Sequence, residues 1–293
     1  MRLHWDWIHP VLPVPYVPTL GPVHPDAPLP ALFEAVCQVS GTGAFLPYDK
    51  DQRWGAVKAE QILTGDIEHA ETQTLVPTLT ERGAVRTVKV HVFGQQPDSL
   101  SAGADLAVKL ATVHAARARI VWLLGPEQPE TYAQDTGTRV QLKTFTPGME
   151  EADPGTDVRP WGERDAHSRE SFGAFAEEMK ADGFAFLYEQ MRTGVGPVLT
   201  ITDGARIVGA IGPMDTMADA DGRTQLLPQY FGVLTETRGR GYGRALWRAA
   251  MHWGREHGAA YQLLQTEVGG ASDRLCTAEG LTSLGFVCTR TVA

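Results

Sequence analysis

The sequence has few cysteines, no long apolar run and no excess of positive charge. Cys37, Cys276 and Cys288 are its three cysteines; they are widely spaced and form no ligand pair, so we expect free thiols, a reducing compartment and no metal. No segment approaches the roughly 20 apolar residues of a membrane span, and the N-terminus lacks the apolar core of a signal peptide. We therefore expect a cytoplasmic protein without a membrane partner.

The balance of charge narrows the class of partner. The 293 residues carry a formal net charge of −9, which argues against nucleic acid and favours a cationic or neutral partner, although the same charge also serves solubility alone. Hydrophobic residues make up 43% and charged residues 21% of the chain, as in globular domains.

Proline divides the chain into segments. Eight of the 19 prolines lie between Pro10 and Pro30, so we expect an extended arm over residues 1–30 that packs on apolar surface through its interleaved aromatic and aliphatic side chains. A second stretch, 147–160, is rich in Pro, Gly, Asp and Glu and predicts an interdomain linker. The remaining segments, 31–146 and 161–293, each show an alternating strand and helix pattern. The prediction is an α/β domain of ordinary size preceded by a smaller α/β region.

The most informative motif is a glycine-rich turn between a strand pattern, 226–234, and an amphipathic helix pattern. It places Gly239, Gly241 and Gly243 within five positions. Glycine lets a ligand approach the backbone closely, and the unpaired amides at a helix N-terminus favour an anion. The spacing is not that of a dinucleotide-binding fingerprint, and no Lys follows as in a P-loop. The turn therefore predicts a site for the phosphate groups of another cofactor.

This turn resembles motif A of the GNAT superfamily of acyl-CoA-dependent N-acyltransferases, written [QR]-x-x-G-x-[GA]. Arg238, Gly241 and Gly243 fill its defined positions. The order of predicted elements over about 155–293 is also similar to that family, ending in a Gly285-Phe286 pair that opens the last strand. The resemblance implies a mixed, mostly antiparallel sheet flanked by helices in the C-terminal half.

The resemblance also implies a set of site residues. It assigns the pyrophosphate of acetyl-CoA or another acyl-CoA to the turn, and the pantetheine arm and thioester oxygen to backbone groups at the end of the preceding strand. The implied residues are Val233, Leu234, Arg238, Gly239, Arg240, Gly241, Tyr242, Gly243 and Arg244.

The catalytic groups are less well matched to the family. The family commonly uses a Tyr to protonate the departing thiolate, but counting back from Gly285 places Leu281 there, and counting forward from Val268 places Glu279 there. The remaining candidates are Glu236 as general base and Cys276 as proton donor; solvent is an alternative to both.

The segment 31–146 repeats the strand, helix and strand order of the C-terminal half. It could be a degenerate second GNAT-like unit, since tandem arrangements exist in the family. No paired glycines occur at 95–101, where the phosphate turn of such a repeat would lie. A repeat of this kind is expected to have lost cofactor binding.

Three functions are consistent with these observations. The first is direct transfer of an acyl group, acetyl by preference, from acyl-CoA to a small-molecule amine. The second takes the acyl group from an acidic acyl carrier protein, which a basic patch of Arg238, Arg240, Arg244 and Arg248 could receive. The third is acyl-CoA binding without turnover. The N-terminal region could close the acceptor pocket or form a homodimer contact.

Overall fold

The computed structural model describes residues 5–8, 12–94, 97–134, 136–146 and 157–293. Its α-helices are α1 (Leu29–Val39), α2 (Pro97–His114), α3 (Ala166–Glu170), α4 (Phe172–Glu178), α5 (Phe184–Met191), α6 (Tyr242–Glu256) and α7 (Ala271–Ala278).

Short 3₁₀ turns connect several of these elements. They occur at Trp5–Trp7, Lys50–Trp54, Thr64–Asp66, Glu130–Tyr132, Trp161–Glu163, Lys180–Asp182 and Thr235–Thr237.

The strands are mostly short and alternate with the helices. They are β1 (Tyr16–Val17), β2 (Gly21–Pro22), β3 (Glu60–Ile62), β4 (Glu68–Ala70), β5 (Gln73–Arg82), β6 (Val85–Gly94), β7 (Arg117–Leu124), β8 (Gly137–Thr144), β9 (Arg159–Pro160), β10 (Leu199–Asp203), β11 (Arg206–Gly212), β12 (Thr216–Ala218), β13 (Thr224–Leu226), β14 (Tyr230–Val233), β15 (Tyr261–Glu267) and β16 (Thr282–Val292). The result is the mixed α/β structure, with mostly antiparallel pairing, that the sequence predicted.

The chain divides into two compact units, and the division differs from the predicted domain boundaries. The first unit contains Met1–Lys143, Asp219–Gly222 and Leu263–Ala293; the second contains Thr144–Ala218 and Arg223–Gln262. The prediction placed the last strand with the C-terminal domain. Instead β16 belongs to the first unit because it pairs there with two strands of the N-terminal half. Most of the predicted linker, residues 147–156, lies outside the described residues.

The sheet of the first unit runs in the order β15, β8, β16, β7, β6, β5, β3. Strand β16 lies between β7 and β8 and is antiparallel to both. It enters the sheet through a bulge at Gly285, whose φ is 112° and where an added methyl group would lie 2.4 Å from the carbonyl oxygen of Leu124. Only glycine fits such a backbone, so the Gly-Phe pair marks the start of the paired part of the strand.

The first unit has a layer on each face of this sheet. Helix α2 covers one face, where Val88, Val90 and Ile120 are completely buried. The other face is covered by α1 and by the segment around the β1–β2 hairpin. Ile8 and Val17 of the predicted arm are buried in this second core, so this part of the arm packs on apolar surface as expected.

The second unit is built on the antiparallel sheet β14, β11, β10, β9. Helix α6 lies on one face, since an added methyl at Gly209 would be 2.9 Å from Leu246 Cδ1. Helix α5 and the turn before it lie on the other face, since a methyl at Gly232 would be 2.8 Å from the ring of Phe184. Two glycines on opposite faces of neighbouring strands therefore allow close packing on both sides.

The predicted strand over 226–234 is interrupted in the structure. Strand β13 ends at Leu226 and pairs in parallel with Tyr261 and Gln262, whereas β14 begins only at Tyr230 and pairs with β11. The break contains Pro228, which has no amide hydrogen to offer a neighbouring strand. In the part of the chain that the structure describes, no helix is long and apolar enough to cross a bilayer.

Candidate functional site

Strand β14 forms one edge of the second unit's sheet. In an antiparallel pair, alternate residues direct both backbone groups toward the partner strand or away from it. Leu234 donates its N–H to the carbonyl oxygen of Val208 at 2.9 Å, so Val233, one residue earlier, directs its N–H and C=O away from β11. Val233 therefore presents backbone hydrogen-bonding groups to a ligand lying along this edge.

The two predicted strand contacts differ in availability. The C=O of Val233 accepts one bond from Arg238 Nε at 3.2 Å, and no other described residue bonds its N–H. Both backbone groups of Leu234 are engaged, because its C=O accepts the N–H and the hydroxyl of Thr237, each at 3.0 Å. The contact predicted at Leu234 stays a prediction that this geometry does not favour.

The glycine turn has the conformation that an anion site requires. Gly239 and Gly241 have φ of 82° and 86°, a region that other residues rarely adopt, and a methyl group added at either would meet nothing within 4 Å. Helix α6 begins at Tyr242 with Gly241 as its N-cap. The first amides of a helix have no acceptor within it and, with the helix dipole, attract negative charge. Open space in front of this helix N-terminus therefore fits a phosphate group.

Packing holds α6 in the position that presents this turn. Its inner face is buried through Ala245, Leu246, Trp247, Ala250, Met251 and Gly254. Because Gly209 allows Leu246 to approach β11 closely, the helix starts near the end of β14. An isolated glycine within a strand pattern is the sequence signal that could have identified this contact.

The three arginines of the turn are not equivalent. Arg240 forms an ion pair with Asp203 at 2.7 Å, Arg238 is bonded to the strand end through Nε, and Arg244 is exposed on the first turn of α6. Half-exposed ion pairs of this kind are weak, on the order of 1 kcal/mol or less, so a phosphate can compete for Arg240. The positive charge expected of a carrier-protein patch is partly neutralised in this arrangement.

The structure does not bring the two predicted catalytic side chains to the Val233 edge through any described contact. Glu236 is paired with Arg206 at 3.0 Å, and Arg206 also binds Glu178 at 3.1 Å. Cys276 lies in the first unit, on α7, and is 2% exposed. Burial, with Asp273 and Glu279 adding to it, raises the pKa of this thiol to about 12. Both roles stay predictions.

A pair of amides that sequence reasoning missed lies where β13 ends and β14 begins. Gln262 is completely buried and donates through Nε2 to Gln229 Oε1 at 2.8 Å. No described residue donates to Gln262 Oε1. The pair anchors the break that leaves the β14 edge open. Elsewhere in the described ranges, no group of three His, Cys, Asp or Glu side chains could hold a metal ion.

Comparison with known proteins places part of this chain in a family. Residues 163–274 match the model of the acetyltransferase (GNAT) family, a segment that contains the glycine turn and β14. No curated protein matches the chain significantly.

Several solved structures are similar to the chain at low identity. A GCN5-related N-acetyltransferase from Sphaerobacter thermophilus is 14% identical with a TM-score of 0.46, over 76% of this chain and 82% of that one. A second, from Kribbella flavida, is 14% identical with a TM-score of 0.41, over 78% and 91%. A tandem GNAT protein from the clavulanic acid biosynthesis pathway is 14% identical with a TM-score of 0.42, over 76% and 79%. On the strength of the family match, residues 163–274 belong to the acetyltransferase (GNAT) family.

Proposed function

We propose that the protein is an acyl-CoA-dependent N-acyltransferase whose donor site is the turn Arg238–Arg244 together with the open edge at Val233. The observation that carries this proposal is the pair of left-handed glycines with free space in front of them, at the start of α6. A side chain at either position would fill the volume that a phosphate needs. The residues present therefore fit the pyrophosphate of coenzyme A.

Each part of the site has a physical role in this proposal. Acyl-CoA supplies an activated thioester. The amides of the turn and of the first turn of α6 bind its pyrophosphate, and Arg238 and Arg244 add charge-assisted contacts. The N–H of Val233 binds an oxygen of the extended arm, which orients the acyl group along β14. We propose acetyl as the acyl group and a small-molecule amine as the acceptor.

One observation favours a second candidate, acyl-CoA binding without turnover. Glu236 is already paired with Arg206, and Cys276 is buried with a raised pKa, so neither is poised to move a proton. Transfer would then rely on solvent to take the proton from the amine. A protein that lacked this route would hold the donor and release it unchanged.

The binding part of the proposal is tested by calorimetry with coenzyme A and acetyl-CoA. We expect Gly241→Val to weaken binding by at least about 100-fold, about 3 kcal/mol, because the side chain occupies the phosphate position and distorts the turn. Gly258→Val is the matched control: Gly258 also has a positive φ of 75° and open space, but it follows the other end of α6. Equal losses in the two variants, or no binding to the unmodified protein, would overturn the assignment.

Turnover is tested by mass spectrometry of the protein with acetyl-CoA and pooled amines. Acylated amine in the unmodified protein, absent with Gly241→Val, supports the enzyme. Tight binding with no product across the pool supports the second candidate. Product formed only from an acyl carrier protein would replace the CoA donor by the carrier-bound one.

A further inference from the structure

The first unit contains a cavity of about 250 Å³ that plays no part in the donor site. It lies between the end of α1, the turn after β1, the loop that follows α1 and strand β3. Its apolar walls are formed by Leu20, Val36, Val39, Leu46, Val57 and Ile62. A space of this size bounded by aliphatic side chains suits a small organic molecule.

One wall of the cavity is held in an unusual conformation by buried lysines. Thr19 has a φ of 71°, which is uncommon for a residue other than glycine. Its carbonyl oxygen accepts Lys58 Nζ at 2.7 Å, and that of Leu20 accepts Lys50 Nζ at 2.5 Å. Strained backbone fixed by its surroundings is a frequent feature of binding sites. This wall is therefore formed before any ligand arrives.

The charges on the wall favour a cation over an anion. Lys58 is the only ammonium among the residues that line the cavity as described, and its donors already bind Thr19, Asp49 at 2.8 Å and Asp51 at 3.0 Å. It has no donor left for a carboxylate or phosphate. Three carboxylates, those of Asp49, Glu60 and Glu81, line the same cavity.

Glu60 is the carboxylate with acceptor capacity to spare. Its side chain is 14% exposed, and Oε1 accepts Thr78 Oγ1 at 2.9 Å and Lys89 Nζ at 3.0 Å. No described residue donates to Oε2. Burial alone would raise the pKa of Glu60, but Lys89 and His91 hold it below its ordinary value, so the group is ionised. A largely buried carboxylate oxygen without a donor is costly unless an N–H group meets it.

We propose that this cavity binds a small primary ammonium ion with an apolar substituent, its N–H groups donating to Glu60 and its hydrocarbon part lying against Val36, Val39 and Ile62. The site is separate from the donor site and does not depend on acyl transfer. It assigns the first unit a binding function of its own.

The test uses the full chain and cyclohexylmethylammonium as the probe, with cyclohexylmethanol as its uncharged counterpart, in calorimetry or ligand-observed NMR. We expect the ammonium to bind at least about 10-fold more tightly than the alcohol, because the ionic hydrogen bond is lost in the latter. Glu60→Gln should weaken the ammonium about 10-fold. Ala59→Phe, at a small residue that lines the cavity, should abolish binding of both probes. Glu68→Gln is the control, since Glu68 is exposed and only loosely paired with Lys109, at 4.0 Å.

Each outcome decides the proposal. Binding that survives both Glu60→Gln and Ala59→Phe belongs to another site, such as the amine acceptor site proposed for the second unit, and overturns it. Equal binding of ammonium and alcohol, or no binding of the ammonium at millimolar concentration, also overturns it. Thermal unfolding establishes that each variant folds. If Glu60→Gln does not, the pair of probes and Ala59→Phe still decide the matter.

Discussion

The two units each contain a strand followed by a helix, and only one of these connections can form a phosphate site. In the second unit, eight residues, 234–241, separate β14 from α6. In the first unit, only residues 95 and 96 separate β6 from α2. Two residues do not allow a turn with two left-handed glycines before the helix. The length of the connection alone removes the site from the first unit.

The edges of the two strands differ as well. Strand β6 pairs in parallel with β7 from Thr87–Arg117 through to Val92–Trp122, almost to its end at Gly94. Strand β14 is an edge strand and leaves Val233 open. A ligand that lies along a strand needs those backbone groups, so the first unit lacks both parts of the donor site. This difference is consistent with the degenerate repeat proposed from the sequence.

The largest effect we predict is the response of the covered strand to acid. His91 on β6 is 2% exposed, and burial lowers the pKa of its imidazole to about 4. Between pH 6.5 and 4 the unfolded chain takes up a proton that the folded chain refuses. The stability due to His91 is therefore complete above pH 6.5 and falls as the pH drops, by about 3 kcal/mol at pH 4.

Replacing the imidazole should remove this part of the pH dependence. We expect urea unfolding of His91→Gln to lose about 2 kcal/mol less than the unmodified protein between pH 7.5 and pH 5. All other titrating groups are common to the two proteins, so the difference isolates His91. Parallel pH profiles would show that β6 is not closed to solvent as its pairing indicates.

A smaller effect is expected at the open edge. Val233→Pro removes the N–H that faces away from β11 and breaks no ladder bond, so it should weaken coenzyme A binding about 10-fold with little change in the melting temperature. Leu234→Pro removes the N–H that binds Val208 and should instead destabilise the second unit. Calorimetry and thermal unfolding of the pair distinguish these results. Loss of binding with Leu234→Pro alone, in a folded protein, would reverse the assignment of the two residues.

Local patterns predicted much of this structure. The turn at Gly204, the left-handed Gly183 between α4 and α5, and the glycines before α6 all have positive φ at the places where the sequence indicated a break. These features depend on a residue type at one position, which the sequence records directly. The conformation of the glycine turn was therefore predictable.

Long-range pairing was not predictable in the same way. Nothing local to Phe286 or Cys288 shows that β16 inserts between β7 and β8, because the partners lie more than a hundred residues away. The ion pair of Glu236 with Arg206 is likewise set by a neighbouring strand. The candidate base was chosen by its position in the sequence, whereas its surroundings are a property of the sheet.

Gly243 sharpens the comparison by a small effect. It lies within α6, and an added methyl would meet only Phe231 Cζ at 3.5 Å and Val233 Cγ2 at 3.8 Å, which are ordinary contacts. Gly243→Ala should leave coenzyme A binding within about 3-fold and stabilise the helix by up to about 1 kcal/mol. Calorimetry and urea unfolding check this. A large loss of affinity would show that the ligand approaches α6 more closely than the turn geometry indicates.

The smallest expected effect separates the connection from the edge. In a Gly241→Val protein, residues 95 and 96 are replaced by the eight residues found at 234–241, which gives the first unit a glycine turn. We expect no recovery of coenzyme A binding in calorimetry, because β7 still occupies the edge of β6 as far as Val92. The same replacement in the unmodified protein, which should bind as before, controls for folding. Recovery of binding would mean that the connection alone distinguishes the two units; its absence would mean that a donor site in this fold needs an open strand edge as well as a glycine turn.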